Sequence, residues 1–259
     1  VLTSLVFIEY RNSQTRAVVN SLQTTSMLNA EAFTDWLLVR QDEMRYMASL
    51  PQTKTLQLDA VEGLLQQLAQ SNGFYDTIFV VSPSGMGLAG VSFANGQASV
   101  LSTAEANEFN VADRAWFKKA IGGEDVFSQP IVSRATGNRV STVAIPILYN
   151  NQIFGVMRGA VQLSTIFNKV NELSRNDYTE IYLLDGEGKA ITTAPSIADS
   201  SQALQTIAAE GIRQQKSDIG QYINAAGTDV IGSYSYIPML GWGLVLESRE
   251  YEALAEVRE

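Results

Sequence analysis

The sequence predicts an α+β protein in which one long N-terminal helix leads into two tandem modules built on antiparallel sheets. Three observations carry this. Residues 1–50 contain neither Gly nor Pro, the strongest helix breakers. Beyond Gly73, short apolar β-branched runs alternate with Gly-, Asn- and Pro-containing turns, the pattern of hairpins. That pattern also occurs twice: Ile78-Phe79-Val80-Val81-Ser82-Pro83-Ser84-Gly85 is echoed by Ile181-Tyr182-Leu183-Leu184-Asp185-Gly186-Glu187-Gly188, and Pro146-Ile147…Gly155-Val156 by Pro238-Met239-Leu240-Gly241-Trp242-Gly243. Two copies indicate a duplicated unit rather than a solenoid.

Within the first segment, Phe33, Trp36, Leu37, Arg40, Met44, Met47 and Leu50 recur at spacings of three and four, a one-sided helical stripe. One helix over 1–50 would reach roughly 75 Å at about 1.5 Å per residue, a stalk that carries a domain away from its anchor. Two helices broken at the Ser/Thr cluster of 21–26 are the alternative. Pro51 ends the segment, because its ring clashes with a preceding helical residue. The apolar opening Val1–Ile8 is too short to span a bilayer; it reads either as the frayed end of a membrane helix or as the first turns of a packed one.

Leu58, Val61, Leu65 and Leu68 mark a second helix, stopped at Asn72-Gly73. Strands follow at Thr77–Ser82 and Leu88–Phe93 around the turn Pro83-Ser84-Gly85, and Asn95-Gly96 gives another hairpin. A short helix fits Arg114–Ile121, closed by Gly122-Gly123. Strands then fall near Gln129–Ser133, Arg139–Leu148 and Ile153–Val161. In the second module a helix over about 164–175 precedes strand Thr179–Leu184, the turn 185–188 and strand Lys189–Thr193. A helix over about 201–215 comes next, then strands at Gly220–Asn224, Asp229–Tyr236 and Trp242–Ser248, and a helical exit over 250–259.

The chain has 259 residues, a formal charge of -9, no His and no Cys. The negative balance argues against nucleic acid as a partner. Without Cys there is no thiol catalysis, disulfide or Cys-based zinc site. Without His, Ser–His–Asp chemistry and most transition-metal sites are gone. No stretch of 18 apolar residues could cross a membrane, and neither G-x-S-x-G nor S-x-x-K is present. The sequence therefore reads as a binding protein and not an enzyme, with no metal or cofactor expected. Gly85-Met86-Gly87-Leu88-Ala89-Gly90 matches G-x-G-x-x-G, yet a dinucleotide site needs a helix to start there. Val91-Ser92-Phe93 continues as strand, so the glycines serve a hairpin. Asp185-Gly186-Glu187-Gly188-Lys189 is a turn, since a calcium loop would not place Lys fifth and needs a Glu at the twelfth position.

Phe109-Asn110-Val111-Ala112-Asp113-Arg114-Ala115-Trp116-Phe117 sets a guanidinium and aromatic rings around a helix start. Arg offers a planar fork for a carboxylate, and aromatic walls lower the local dielectric. The plainer alternative places Trp116 and Phe117 in the core and lets Arg114 cap a neighbouring carbonyl.

At these residues the sequence resembles the double Cache (dCache) sensor family of bacterial chemoreceptors and related membrane signalling proteins. The resemblance spans nearly the whole chain. It rests on Asp113–Ala120, on Pro130…Ala135-Thr136-Gly137, on Ala144-Ile145-Pro146-Ile147…Phe154-Gly155-Val156 and on Gly241–Glu247. It implies PAS-like Cache modules arranged as a stalk helix (1–50), a membrane-distal, ligand-binding module (51–168), a membrane-proximal module (169–249) and an exit helix toward a second transmembrane segment (250–259). Amino-acid-binding members use a Tyr, an Arg-x-Trp-Tyr run, another Tyr and a strand Asp that takes the ligand ammonium. Here Arg114 and Trp116 agree; Phe109 and Phe117 stand at tyrosine positions, Ile131 near the third, and Ala160 where the Asp would be. The resemblance thus implies a retained carboxylate clamp without its ammonium receptor, and so a small anionic, organic-acid-like ligand anchored by Arg114. Arg158, two residues before Ala160 on the same strand, should share its face, and Arg134 is near in sequence; surface exposure is the alternative for both. The partners implied are that small-molecule ligand, a second copy joined as a homodimer through the long helix, and flanking transmembrane helices, with the chain on the periplasmic or extracellular side. The outputs implied are chemotaxis, a histidine kinase or a diguanylate cyclase. A serine hydrolase and a scaffold that has lost its ligand are the rival classes.

Overall fold

A computed structural model describes residues 2–173, 179–197 and 200–249, with side chains of the first helix from residue 15 onward. Helix α1 (Leu2–Ser49) runs unbroken for 48 residues, so the Ser/Thr cluster at 21–26 does not interrupt it. Pro51 both ends α1 and opens a one-turn helix, α2 (Pro51–Lys54), where its missing N–H costs nothing. Helix α3 (Leu58–Asn72) buries Val61, Leu65 and Ala69 and closes on Gly73 at φ 64°, a left-handed cap open to glycine. The chain then divides into two compact units, Trp36–Ile166 and a second made of residues 1–35 with 167–259.

In the first unit, β1 (Tyr75–Val81), β2 (Gly87–Ala94), β3 (Gln97–Val100), β4 (Val126–Phe127), β5 (Ile131–Val132), β6 (Arg139–Tyr149) and β7 (Gln152–Gln162) form one seven-stranded sheet. Its order is β3-β2-β1-β7-β6-β4, with β5 also paired to β6. Every residue of β1 is buried, as a central strand covered on both faces requires. On one face lies α1, where Tyr75 donates to Glu43 and Arg40 sits 4.5 Å from the Phe74 ring and 5.3 Å from Trp36. The opposite face packs Phe79, Val81, Ala144 and Val156 against Phe109, Val111, Trp116 and Phe117.

The segment bearing those last residues holds two short helices. Helix α4 (Thr103–Glu108), absent from the sequence-based reading, starts with a capping box between Ser102 and Glu105, a signal the sequence did carry. Helix α5 (Ala115–Ile121) has Arg114 as its N-cap. The glycines of the G-x-G-x-x-G match bring this segment onto the hairpin. Gly85 sits at φ +90°, where a Cβ would lie 2.6 Å from the Ala112 backbone; at Gly87 it would lie 2.3 Å from the Ala106 carbonyl oxygen. Gly87 N donates to Phe109 O at 2.7 Å and Val111 N to Gly85 O at 2.8 Å. The motif therefore serves close backbone approach, with no helix following it.

The second unit follows helix α6 (Leu163–Leu173), whose expected last residues fall outside those described. A four-stranded sheet runs β8-β11-β10-β9, from β8 (Thr179–Leu184), β9 (Asp218–Ile223), β10 (Asp229–Ile237) and β11 (Trp242–Arg249). One face carries helix α7 (Ile207–Arg213) over Tyr182, Leu184, Tyr222 and Val245. On the other face the start of α1 sets Val18 against Ile231, Ser26 against Ser235 at 3.1 Å, and the Phe33 ring 6.5 Å from Trp242. Two expectations need correction. The helix of 201–215 shrinks to 207–213 because Leu204 N bonds Gly188 O and Lys189 bridges Ala203, tying 203–204 to the 188–189 turn before Thr206 caps the helix. The strand of 189–193 reduces to bridges at Lys189 and Ala190. The expected exit helix, 250–259, lies outside the described residues.

Candidate functional site

Strand pairing assembles the site. In the β1–β7 ladder Phe79 pairs Arg158 and Thr77 pairs Ala160; in the β6–β7 ladder Ala144 pairs Arg158 and Thr142 pairs Ala160. Directly paired residues share a face, so these six side chains form one floor. The 109–117 segment roofs it. The Phe109 ring stacks on Phe79 at 4.2 Å, and the Arg158 guanidinium lies 5.0 Å from the Phe109 ring and 5.9 Å from Trp116.

Arg158 is 1% exposed. Its Nη1 donates to Thr77 Oγ1 at 2.5 Å, while its Nε and the neighbouring Thr142 Oγ1 have no hydrogen-bond partner within the chain. A β-bulge between Tyr75 and Thr77 carries Asp76, also 1% exposed. Its carboxylate accepts from Thr136 Oγ1 at 2.5 Å and from Asn138 Nδ2 at 2.6 Å. Burial pushes the Arg158 guanidinium down to about 10, Asp76 works against that, and Arg114 adds to it. Arg158 is thus a full cation at neutral pH, held in an aromatic enclosure with donor capacity to spare. Burying such a charge is costly unless hydrogen bonds and an opposite charge meet it.

The sequence-selected residues separate into two groups. Phe109, Trp116, Arg158 and Ala160 converge on this floor and roof, and Arg158 shares a face with Ala160 rather than lying on the surface. Phe117 meets Trp116 edge-on at 6.0 Å within the core, and Ile131 packs half-buried against the same cluster. Arg114 is half-buried and donates Nη2 to the Val132 carbonyl at 3.0 Å, the contact that the capping alternative describes. Arg134 is exposed, its Nη2 2.6 Å from Asp113 Oδ2 and its Nη1 donating to Asn110 O. That guanidinium holds the Asp113 carboxyl well below the usual carboxylate range. Arg134 is therefore no part of the floor.

Asp76, Thr77 and Thr142 were missed in the sequence. Asp76 had a readable signal, a lone acid at the head of the apolar run 77–81, since an acid is almost never fully buried unless partnered. Among the described residues no group of acids, His or Cys is placed to hold a metal ion, and no helix is long and apolar enough to cross a membrane.

Comparison with known proteins agrees with this architecture. The family model for the Cache domain, dCache_1, matches residues 10–257. A methyl-accepting chemotaxis protein of Pseudomonas syringae pv. tomato, PscA, is 26% identical over 193 residues, covering 72% of this chain and 28% of PscA. The chain thus spans little more than a quarter of that relative's length. The ligand-binding domain of the Campylobacter jejuni chemoreceptor Tlp3, in complex with 4-methylisoleucine, superposes with a TM-score of 0.72 at 12% identity, over 92% of this chain and 94% of that one. The extracellular domain of the histidine kinase soHK1S-Z6 does so with a TM-score of 0.71 at 17% identity, over 94% and 98%. At these identities the structural likeness establishes the fold.

Proposed function

Because the chain belongs to the Cache domain family, we propose that it is the extracytoplasmic sensor of a transmembrane receptor, and that its first module binds a small carboxylate through Arg158. The supporting observation is the buried Arg158 guanidinium, with Nε unpartnered beside the unpartnered Thr142 hydroxyl. A carboxylate accepts from both donors and supplies the opposite charge. Phe79, Phe109 and Trp116 suit an apolar body on that acid. The chemistry is binding and not turnover. Arg158 takes the anchoring role that the resemblance assigned to Arg114, because its guanidinium is the buried one with an unpartnered Nε while Arg114 already donates to the Val132 carbonyl.

Asp76 favours a second reading, an α-amino acid whose ammonium meets that carboxylate; Tlp3 is seen with such a ligand. Asp76 already has two hydrogen-bond donors and the nearby Arg158 cation to satisfy it, which ranks the acid without an ammonium first. Calorimetric titration with isoleucine and its 2-oxo acid separates the two, since they share a carbon skeleton. Tighter binding of the 2-oxo acid supports the first reading, tighter binding of isoleucine the second, and binding of neither defeats both.

For signalling, Tyr75 joins α1 through Glu43, while the next two residues, Asp76 and Thr77, line the enclosure. A ligand that prefers one setting of β1 would shift α1 by that difference in affinity and no more. Val39 and Tyr46 are exposed on α1, seven residues apart and so on one side of the helix. We assign that stripe to pairing with a second copy, checked by light scattering of the wild type against Val39→Glu. The output beyond this chain is chemotaxis in the reading PscA supports, and a kinase in the one soHK1S-Z6 supports.

A further inference from the structure

The second module contains a polar cavity that the reading above does not use. Its volume is about 140 Å³, and Glu180, Glu247, Ser196, Thr228 and Arg249 are among its walls. Glu180 on β8 and Glu247 on β11 are directly paired in the ladder, so both carboxylates stand on the same face as neighbours. Glu247 is 2% exposed. Its Oε1 accepts the hydroxyls of Tyr182 and Tyr222, each at 2.8 Å, whereas Oε2 has no partner within the chain. Ser196 Oγ, on a residue 7% exposed, is also without a partner. The Ser196 backbone N–H donates to Glu180 Oε2 at 3.1 Å, which fixes the serine beside that carboxylate.

Like charges directly opposite one another on a sheet are destabilising, and a buried acceptor without a donor costs roughly 1–3 kcal/mol. A cation between the two carboxylates relieves both. Calcium requires six to eight oxygen ligands, and among the described residues no set of three acidic or His groups is positioned for a metal. An alkylammonium has three N–H donors and no acceptor. Glu247, Glu180 and Ser196, all lining the cavity, offer it acceptors.

We propose that the second module holds its own binding site for a small primary alkylammonium compound, with the ammonium bridging Glu180 and Glu247. A cavity of about 150 Å³ admits a ligand the size of benzene, so the compound has about six heavy atoms or fewer. Arg249 also lines the cavity, and its positive charge disfavours a diamine carrying two charges. A monoamine with a hydroxyl fits this pattern. The site is distinct in ligand charge from the anion-binding enclosure of the first module, so the receptor would read two inputs.

The test is calorimetric titration of the full chain with ethanolamine at about pH 8, where the alkylamine is still protonated and an ordinary carboxylate is ionised. One saturable site is expected, with putrescine binding more weakly. Glu247→Gln should weaken ethanolamine binding by about tenfold or more, which is about 1.4 kcal/mol, while Arg158→Met leaves it unchanged. Glu180→Gln serves as the second variant should Glu247→Gln not fold, as judged by circular dichroism. No saturable binding at millimolar ethanolamine overturns the proposal. So does undiminished binding in the folded glutamate variant, or a loss of binding in Arg158→Met, which would place the amine in the first module.

Discussion

Arg158 and Thr77 are joined across neighbouring strands by a 2.5 Å hydrogen bond through Nη1, while the guanidinium Nε has no hydrogen-bond partner within the chain. Thr77 thereby acts as a positioning residue for the proposed anchor. A charge-assisted hydrogen bond contributes about 1.5–3 kcal/mol, so Arg158→Met should weaken the tightest carboxylate found by that amount. Arg114→Met should change affinity far less, because its guanidinium already donates to the Val132 carbonyl. Calorimetry on both variants, with melting temperature as a fold control, checks this; equal losses would return the anchor to Arg114.

Asp76 ties the β5–β6 loop to β1 through Thr136 and Asn138. Asp76→Ala leaves those two donors unpaired and removes the charge that favours Arg158. The expected cost is about 1–3 kcal/mol, read as a lower urea midpoint with an unchanged slope. Asp76→Asn keeps an acceptor for one of the two donors and should lose less. Should isoleucine be the ligand, Asp76→Asn would weaken its binding and spare its 2-oxo acid.

Gly87→Ala tests why glycines recur in the first hairpin. A Cβ there would sit 2.3 Å from the Ala106 carbonyl oxygen, and backbone cannot yield as a side-chain tip does. Overpacking of this kind costs about 1–3 kcal/mol. The displaced strand also holds Phe109 through the Gly87 N–H, so the roof over Arg158 should move and carboxylate affinity should fall with stability. Gly96→Ala, where a Cβ meets nothing within 4 Å, is the control for the glycine turn itself; its φ of +78° predicts a loss of stability without a loss of affinity.

Much of the fold was legible in the sequence. The missing helix breakers before Pro51 gave α1, and the hairpin signals gave both sheets, because these are local properties of backbone and pattern. The site was only half legible. Alternation places Arg158 with Ala160 but does not say which face is roofed; that depends on pairing with β1 and on the 109–117 segment, which are separated by tens of residues. Arg114 was ambiguous because a guanidinium beside aromatics looks the same in sequence whether it faces a cavity or a carbonyl. The helix of 201–215 was overlong for a similar reason, since the bonds that hold 203–204 out of the helix come from Gly188 and Lys189.

Glu247 gives a pH dependence whose sign can be worked out. Burial, the largest influence, pushes its carboxyl up; the hydroxyls of Tyr182 and Tyr222 and the Asn224 side chain pull it down, Glu180 adds to the rise, and the net shift is upward. A carboxyl whose folded value lies above its unfolded value, near 4.3 for an unperturbed Glu, binds more protons in the folded state across the window between the two. Stability then falls as pH rises through that window. Its contribution is fully present below about 4.3 and is lost once the pH exceeds the raised value. Glu247→Gln cannot titrate, so the difference in unfolding free energy between wild type and variant should favour the wild type progressively less from about pH 4 upward. Urea titrations of both proteins across that range, in buffers free of amines, measure this difference directly. A difference that stays flat, or that grows in favour of the wild type with rising pH, would mean the Glu247 carboxylate is satisfied as an ion without any partner from solution. It would also remove the desolvated charge on which an ammonium in the second module depends.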